Sequence, residues 1–371
     1  MTAGSSFPLP RHTGARWWRP LAALGLAALA GCSSAPRTPA ASPGASPGSG
    51  TASASAPASG TSGPPTGAPA PIRIGIALGG GAAKGFAHIG VIKMLEANGL
   101  APAVVAGTSA GSVVGALYAS GMDAFELQQK AVALDEAGIR DLQLSTGGLV
   151  LGQKLEDYVN AQVHHKPLEQ LAKPFVAVAT RLEDGERTVF ARGNTGQAVR
   201  ASSSVPGVFQ PVAIGKYHYV DGGVVSPVPV DAARQLGADI VVAVDISSKA
   251  RGRAPGDLLG TVGQSIAIMG QKLGQAELAR ADVVVRPAVL DIGAADFSQR
   301  ASAILEGEKA ALAVMPRIKE RVAQLQAQRA QAARQAQAEA AQARQQACLA
   351  QRSSWRKLAG AAGLDDSCAR Q

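Results

Sequence analysis

Short, nearly continuous runs of Val, Ile and Ala recur between helical stretches from residue 72 onward, and this alternation limits the architecture more than anything else in the chain. The runs are Arg73–Leu78, Val104–Ala106, Pro174–Ala179, Arg187–Ala191, Tyr217–Val220, Ile240–Val244 and Val283–Arg286. A strand with one wet face alternates apolar and polar residues, whereas an unbroken apolar run is covered on both faces. Strands of the second kind, separated by helices, predict an α/β fold with a mainly parallel central sheet between helical layers. Aromatic residues are only 4% of a chain that is 46% hydrophobic, so its core has to be built from Ala, Val, Leu and Ile.

The chain begins differently. Arg11, Arg16 and Arg19 precede an apolar run from Leu21 to Ala30, which is too short to span a bilayer and has the order of a signal peptide. It ends in Leu29-Ala30-Gly31-Cys32, which resembles the bacterial lipobox, whose cysteine carries a diacylglyceryl thioether. Residues 1–31 are therefore expected to be a lipoprotein signal peptide, with Cys32 as the lipid attachment point. From Ser33 to Pro71 the chain is almost wholly Ser, Ala, Pro, Gly and Thr, with Arg37 its one charge. Such a segment cannot bury enough apolar surface to fold, so 32–71 is expected to be a disordered, lipid-anchored linker. About forty flexible residues have a root-mean-square span of roughly 35 Å. Ser33 does not look like an inner-membrane retention signal, which favours the outer membrane, facing the periplasm. In that compartment Cys348 and Cys368 can pair. The net charge of +9 then favours lipid headgroups or cell wall over nucleic acid.

Two segments have the form G-x-S-x-G. Gly44-Ala45-Ser46-Pro47-Gly48 lies in the linker with no strand before it and a proline after the serine, so it is a chance match. Gly107-Thr108-Ser109-Ala110-Gly111 follows an apolar strand and opens a small-residue helix. In that context the pattern means a tight strand-to-helix turn with an exposed nucleophilic serine at its apex. The second element, Gly79-Gly80-Gly81-Ala82-Ala83-Lys84-Gly85, lacks the Gly-Lys-Ser/Thr ending of a phosphate loop and the spacing of a dinucleotide loop. Its glycines let successive N–H groups converge, which suits an oxyanion hole made by Gly79, Gly80, Gly81 and Ala82, with Lys84 and Gly85 in support. The third element is Asp221-Gly222-Gly223 at the end of a short strand, where a carboxylate can approach a serine hydroxyl. Taken alone, Asp-Gly is an ordinary turn.

Together these elements, with Phe86-Ala87-His88-Ile89-Gly90 and the stretch from Ala201 to Phe209, resemble the patatin-like phospholipase family. The likeness covers about Ile72 to Met315 and is nearest the bacterial branch related to neuropathy-target-esterase-type lysophospholipases. It implies a three-layer α/β/α hydrolase domain over 72–317 and a Ser109–Asp221 dyad without a catalytic histidine. The residues around the dyad would be Gly107, Gly111, Gly222 and Gly223. It also implies hydrolysis of acyl esters of phospholipids or lysophospholipids, with no metal and no other cofactor. Many relatives place one residue between the glycines and the basic residue, whereas here Ala82 and Ala83 both precede Lys84, which leaves open which N–H groups line the hole. None of the five histidines follows Asp221, as a conventional triad would require. A triad of Ser109, Asp184 and His218 is the alternative for the site, and a catalytically silent envelope scaffold is the alternative for the chain. His88 is expected to pack or support a loop. His164 and His165 are adjacent, without metal-ligand spacing. From about Ile318 the chain becomes rich in Ala, Gln and Arg, so 318–371 is expected to be a solvated helical tail, or a basic arm for anionic lipid or cell wall.

Overall fold

The computed structural model describes residues 70–134, 152–247 and 258–359, all within one unit, Ser62–Gln371. The signal segment, Cys32, the linker up to residue 69 and Cys368 lie outside the described residues. The strands are β1 (Ile74–Leu78), β2 (Val104–Thr108), β3 (Phe175–Arg181), β4 (Arg187–Phe190), β5 (Val212–Ile214), β6 (Tyr217–Asp221), β7 (Ile240–Val244) and β8 (Val283–Val285). The helices are α1 (Ala87–Ala97), α2 (Ala110–Ala119), α3 (Ala124–Ala133), α4 (Gln153–Gln162), α5 (Thr195–Ser202), α6 (Val230–Gln235), α7 (Leu258–Leu278) and α8 (Arg300–Ala359).

All strands join one sheet in the order β5-β6-β3-β2-β1-β7-β8, with β4 also paired to β3. The centre is parallel, from β3 through β2, β1 and β7 to β8. β4 and β6 run antiparallel to β3, and β5 antiparallel to β6. Every residue of β1, β2 and β7 is buried, as their unbroken apolar sequences require. Alternate strand residues feed two cores. Ile76, Leu78, Val105 and Val242 pack with α1, α2 and α8, while Ala77, Val104, Val176 and Val241 pack with α6 and Leu278 of α7. The expected three-layer α/β/α arrangement is thus present. β5 is the strand not anticipated: three residues between Pro211 and Gly215 are too few to show a period.

The expected C-terminal helix is present, and it begins well before residue 318. α8 is a single helix of 60 residues that runs straight through position 317/318, where the composition changes. Ile304, Ala311, Met315 and Ile318 are buried and Val322 packs on the same core, a stripe at helical spacing that ignores that boundary. Beyond it, Lys319 Nζ donates to Asn98 Oδ1 at 2.8 Å, Arg321 Nε to Asp282 Oδ1 at 3.1 Å, and Arg329 pairs with Asp239. The body therefore continues past residue 317, and the solvated part of the helix begins later. The crossing of α1 and α8 is backbone to backbone: a Cβ on Gly90 would lie 2.0 Å from Ile304 O, and one on Gly307 would lie 2.0 Å from Ala87 O.

Candidate active site

Strand β2 ends at Thr108 and α2 begins at Ala110, so the chain must reverse its course at Ser109. Ser109 does so with φ 54 and ψ −125, a conformation a residue with a side chain holds only under constraint. The constraint is visible. A Cβ on Gly107 would meet Gly111 O at 2.4 Å, and one on Gly111 would meet Leu78 O at 2.1 Å, so only glycines let the turn close against β1. Ser109 N–H donates to Ser202 Oγ at 2.9 Å, and that hydroxyl donates to Val178 O at 2.6 Å. Ser112 Oγ donates to Ser109 O at 2.7 Å. The serine is held on all sides, with the positive end of α2 beneath it.

Asp221 reaches the same place by register. Residues Ala177 to Thr180 of β3 carry β4 along one edge. Along the other edge β2 pairs up to Thr108 opposite Val178, and β6 takes over at the next residue, Asp221 opposite Ala179. Strand β3 thus serves as a ruler that sets the end of β2 and the end of β6 head to head. Gly222 completes the junction, since a Cβ there would lie 2.1 Å from Val178 O and 3.1 Å from Thr108 Cγ2. The carboxylate is buried, and its Oδ1 accepts from Gly223 N–H at 2.6 Å. Its backbone is pinned by Asp221 N–H to Ser204 O at 2.9 Å and Thr180 Oγ1 to Asp221 O at 2.9 Å. Burial pushes the Asp221 carboxyl up to about 6, against the opposing pull of the Ser109 hydroxyl and the Gly223 N–H. The hydroxyl is near enough to exert that pull, but Oδ2 has no hydrogen bond of ordinary geometry.

The glycine loop splits in two. Gly79 N–H donates to Val244 O at 3.1 Å and Gly80 N–H to Pro227 O at 3.0 Å, which takes both out of the donor set expected from the sequence. Among the described residues no acceptor takes the N–H of Gly81 or of Ala82, which opens a 3-10 turn (Ala82–Phe86) with φ 52. Gly80 still matters by contact, because a Cβ there would come within 3.2 Å of Ser109 Cβ. A Cβ on Gly85 would approach Ala110 Cβ to 2.7 Å, so the turn rests on the start of α2. Lys84 is buried in it. His88 Nε2 donates to Gly79 O at 2.8 Å, and burial lowers its pKa to about 4, so it supports the loop as a neutral ring.

The triad does not assemble. His218 is three residues before Asp221 on β6 and so lies on the opposite face, where its exposed ring meets Glu183 Oε1 at 2.9 Å. Asp184 is tied to Arg181 at 2.6 Å. His164 and His165 are exposed, and among the described residues no cluster of His, Cys, Asp and Glu could hold a metal ion.

One carboxylate escaped the sequence reading. Glu277, buried near the end of α7, accepts from Ser226 Oγ and, at 2.8 Å, from Val228 N–H. Ser226 O in turn accepts from Thr108 Oγ1 at 2.8 Å, and Pro227 O accepts from Gly80 N–H. Glu277 therefore fixes the segment against which both the serine turn and the glycine loop are hung. Its signal in the sequence is slight: it is the sole acidic residue of α7. Glu277→Ala is expected to cost about 1–3 kcal/mol by stranding the Ser226 hydroxyl and the Val228 N–H, with Glu277→Gln recovering most of the loss. Chemical denaturation of the three proteins checks this, and equal stability of all three would contradict it.

Residues 76–234, which include Ser109 and Asp221, match the family of patatin-like phospholipases. Over that segment the chain is similar to patatin-like phospholipases. An NTE family protein of Mycobacterium bovis is 36% identical over 184 residues, which is 49% of this chain and 51% of that protein. Patatin-like phospholipase domain-containing protein 6 of Homo sapiens is 33% identical over 184 residues, 47% of this chain and 13% of its own. Lysophospholipase nte1 of Aspergillus fumigatus is 32% identical over 183 residues, 47% of this chain and 12% of its own. The chain thus spans about half the length of the mycobacterial relative and a smaller share of the other two. Among solved structures, VipD from Legionella pneumophila superposes with a TM-score of 0.49 at 15% identity, covering 67% of each chain. The patatin match runs from β1 into α6, so Glu277 and the whole of α7 lie beyond it.

Proposed function

We propose that the protein is a serine acyl hydrolase that cleaves acyl esters of phospholipids or lysophospholipids through Ser109 and Asp221. The observation that carries this is the register on β3, which sets Thr108 and Asp221 opposite consecutive residues and leaves a buried carboxylate oxygen unpartnered beside the serine. Ser109 Oγ adds to the ester carbonyl carbon while its proton passes to Asp221 Oδ2. The N–H groups of Gly81 and Ala82 receive the oxyanion, with the start of α2 adding its positive end. Collapse expels the alcohol, which takes the proton back from Asp221 and leaves an ester on Ser109. Water then gives a proton to Asp221 and attacks that ester, and the free acid leaves as the proton returns to Ser109. Hydrolysis of long-chain lysophospholipid by the purified protein, together with labelling by a fluorophosphonate that Ser109→Ala abolishes, tests the reading. No labelling and no hydrolysis would leave the silent-scaffold alternative.

A carboxylate base has to be ionised to accept a proton. Since burial raises Asp221 to about 6, kcat/KM on a soluble short-chain ester is expected to be flat at neutral pH and to fall as pH drops through about 6. A profile that stays level well below that pH would argue against Asp221 as the base.

The N-terminal segment completes the proposal. A thioether-linked lipid on Cys32 would hold the hydrolase at the outer membrane by a linker of about forty residues, roughly 35 Å in root-mean-square reach. Cys32→Ser is expected to leave unprocessed or mislocalised protein, read by fractionation and by incorporation of labelled fatty acid. Unchanged processing and membrane association would remove the anchor from the proposal.

A further inference from the structure

Helix α7 presents the wrong side to solvent. Its inner side includes Gly270 and Gly274, at which a Cβ would lie 3.8 Å from Gly223 O and 3.4 Å from Pro227 Cγ. Its outer side includes Ile268, Met269 and Leu273, which are 46%, 53% and 39% exposed. Isolated exposed apolar residues are ordinary on any protein. Here three fall within two turns of one helix, on the side away from Gly270 and Gly274, where an amphipathic surface helix would carry polar residues. The location adds to this. Gly223, against which α7 rests, is two residues from Asp221, and Glu277 on the same helix pins the segment behind the serine turn. The exposed apolar face of α7 thus belongs to the helix that braces the Ser109–Asp221 site.

We infer that the outer face of α7 seats the protein on a phospholipid bilayer. This rests on the lipid-ester reading above. An acyl ester lies at the boundary between headgroups and chains, and Ser109 is buried, so the surface next to the site has to meet the bilayer for a lipid to enter without crossing water. Exposed Lys272 stands among the apolar residues, where an ammonium would meet lipid phosphates, and the chain as a whole carries +9. The stretch between Cys32 and the body is long enough to let that face turn toward the membrane.

The test uses the full chain with Met269→Glu and Leu273→Glu together, and Leu312→Glu as a control on α8, whose exposed Leu312 belongs to the helix packed on α1. Two readouts are taken. Binding is measured by co-sedimentation with vesicles of phosphatidylcholine and phosphatidylglycerol, in a Cys32→Ser, Ser109→Ala background that removes both the anchor and turnover. Turnover is measured with Ser109 present, on vesicle phospholipid and on a soluble short-chain ester. The α7 variant is expected to bind vesicles about tenfold or more weakly and to lose vesicle hydrolysis to a similar degree, with soluble-ester turnover unchanged and the control unaffected. Unchanged vesicle binding overturns the inference. So does an equal fall on soluble ester and vesicles, which would mean a damaged fold, or a shift from dimer to monomer without loss of vesicle binding, which would assign the face to a second copy. If vesicle binding falls as expected but wild-type protein cleaves no ester, the docking face stands and the hydrolase proposal fails.

Discussion

Ser109→Ala and Asp221→Asn are each expected to lower kcat by roughly a thousandfold or more, about 4 kcal/mol of transition-state stabilisation. Residues that act as one unit lose most of their effect together, so the double variant should be little worse than either single one. His218→Ala should retain nearly full activity, because its ring sits on the opposite face of β6 with Glu183. Stability should move the other way. A carboxyl whose folded pKa is raised binds its proton more tightly in the folded state, so its burden on the fold is absent below the unfolded value and grows as pH rises through the folded one. With an ordinary value of 3.8 in the unfolded chain and a folded value of about 6, the burden above pH 6 is about 3 kcal/mol. Asp221→Asn removes that charge and should raise the melting temperature at neutral pH, with the gain vanishing at acidic pH. Ser109→Gly should also stabilise, by relieving a positive φ that glycine adopts freely. Ester hydrolysis and thermal melts on the same preparations decide the matter. Full activity in Asp221→Asn would end the dyad, and inactive variants that also melt early would show a structural lesion instead.

How much of this could be read from the sequence depends on how far each contact reaches along the chain. The turn at Ser109 was legible because strand, glycines, serine and helix follow one another within a few residues. The central strands were legible because burial on both faces leaves an unbroken apolar run. Asp221 was visible only as an Asp-Gly-Gly turn, since what joins it to Ser109 is the shared edge of β3, some forty residues away in sequence from β6. The glycine loop stood out in the sequence, but the commitment of two of its N–H groups did not: their acceptors, Val244 and Pro227, belong to segments far along the chain. Glu277 is further still, a lone acid on a helix with no motif around it. The burial of Ile318 and Val322 was hidden for a different reason. Composition reports solvent preference on average, while the buried stripe of α8 uses one residue in three or four and continues through Ile318 to Val322 under an Ala-rich surface.

That stripe makes the strongest stability prediction. Gly90 on α1 and Gly307 on α8 stand where the two helices touch through their backbones. A Cβ on Gly90 would meet Ile304 O at 2.0 Å and Glu308 N at 2.7 Å, and one on Gly307 would meet Ala87 O at 2.0 Å. No rotamer relieves a methyl group against a carbonyl, so the helices would have to separate. Separation would loosen Val91, Ala303, Ile304 and Ala311 from the core they share. Overpacking by side chains costs about 1–3 kcal/mol, and a clash with backbone should exceed that, so Gly90→Ala and Gly307→Ala are each expected to cost more than about 3 kcal/mol. Gly270→Ala supplies the opposite sign. Its nearest neighbour would be Gly223 O at 3.8 Å, ordinary contact, and alanine inside a helix is favoured over glycine by about 0.5–1 kcal/mol. Urea unfolding of the three variants, read by circular dichroism, measures all of this. If Gly90→Ala and Gly307→Ala unfold at the wild-type midpoint, α8 does not pack on α1 this closely.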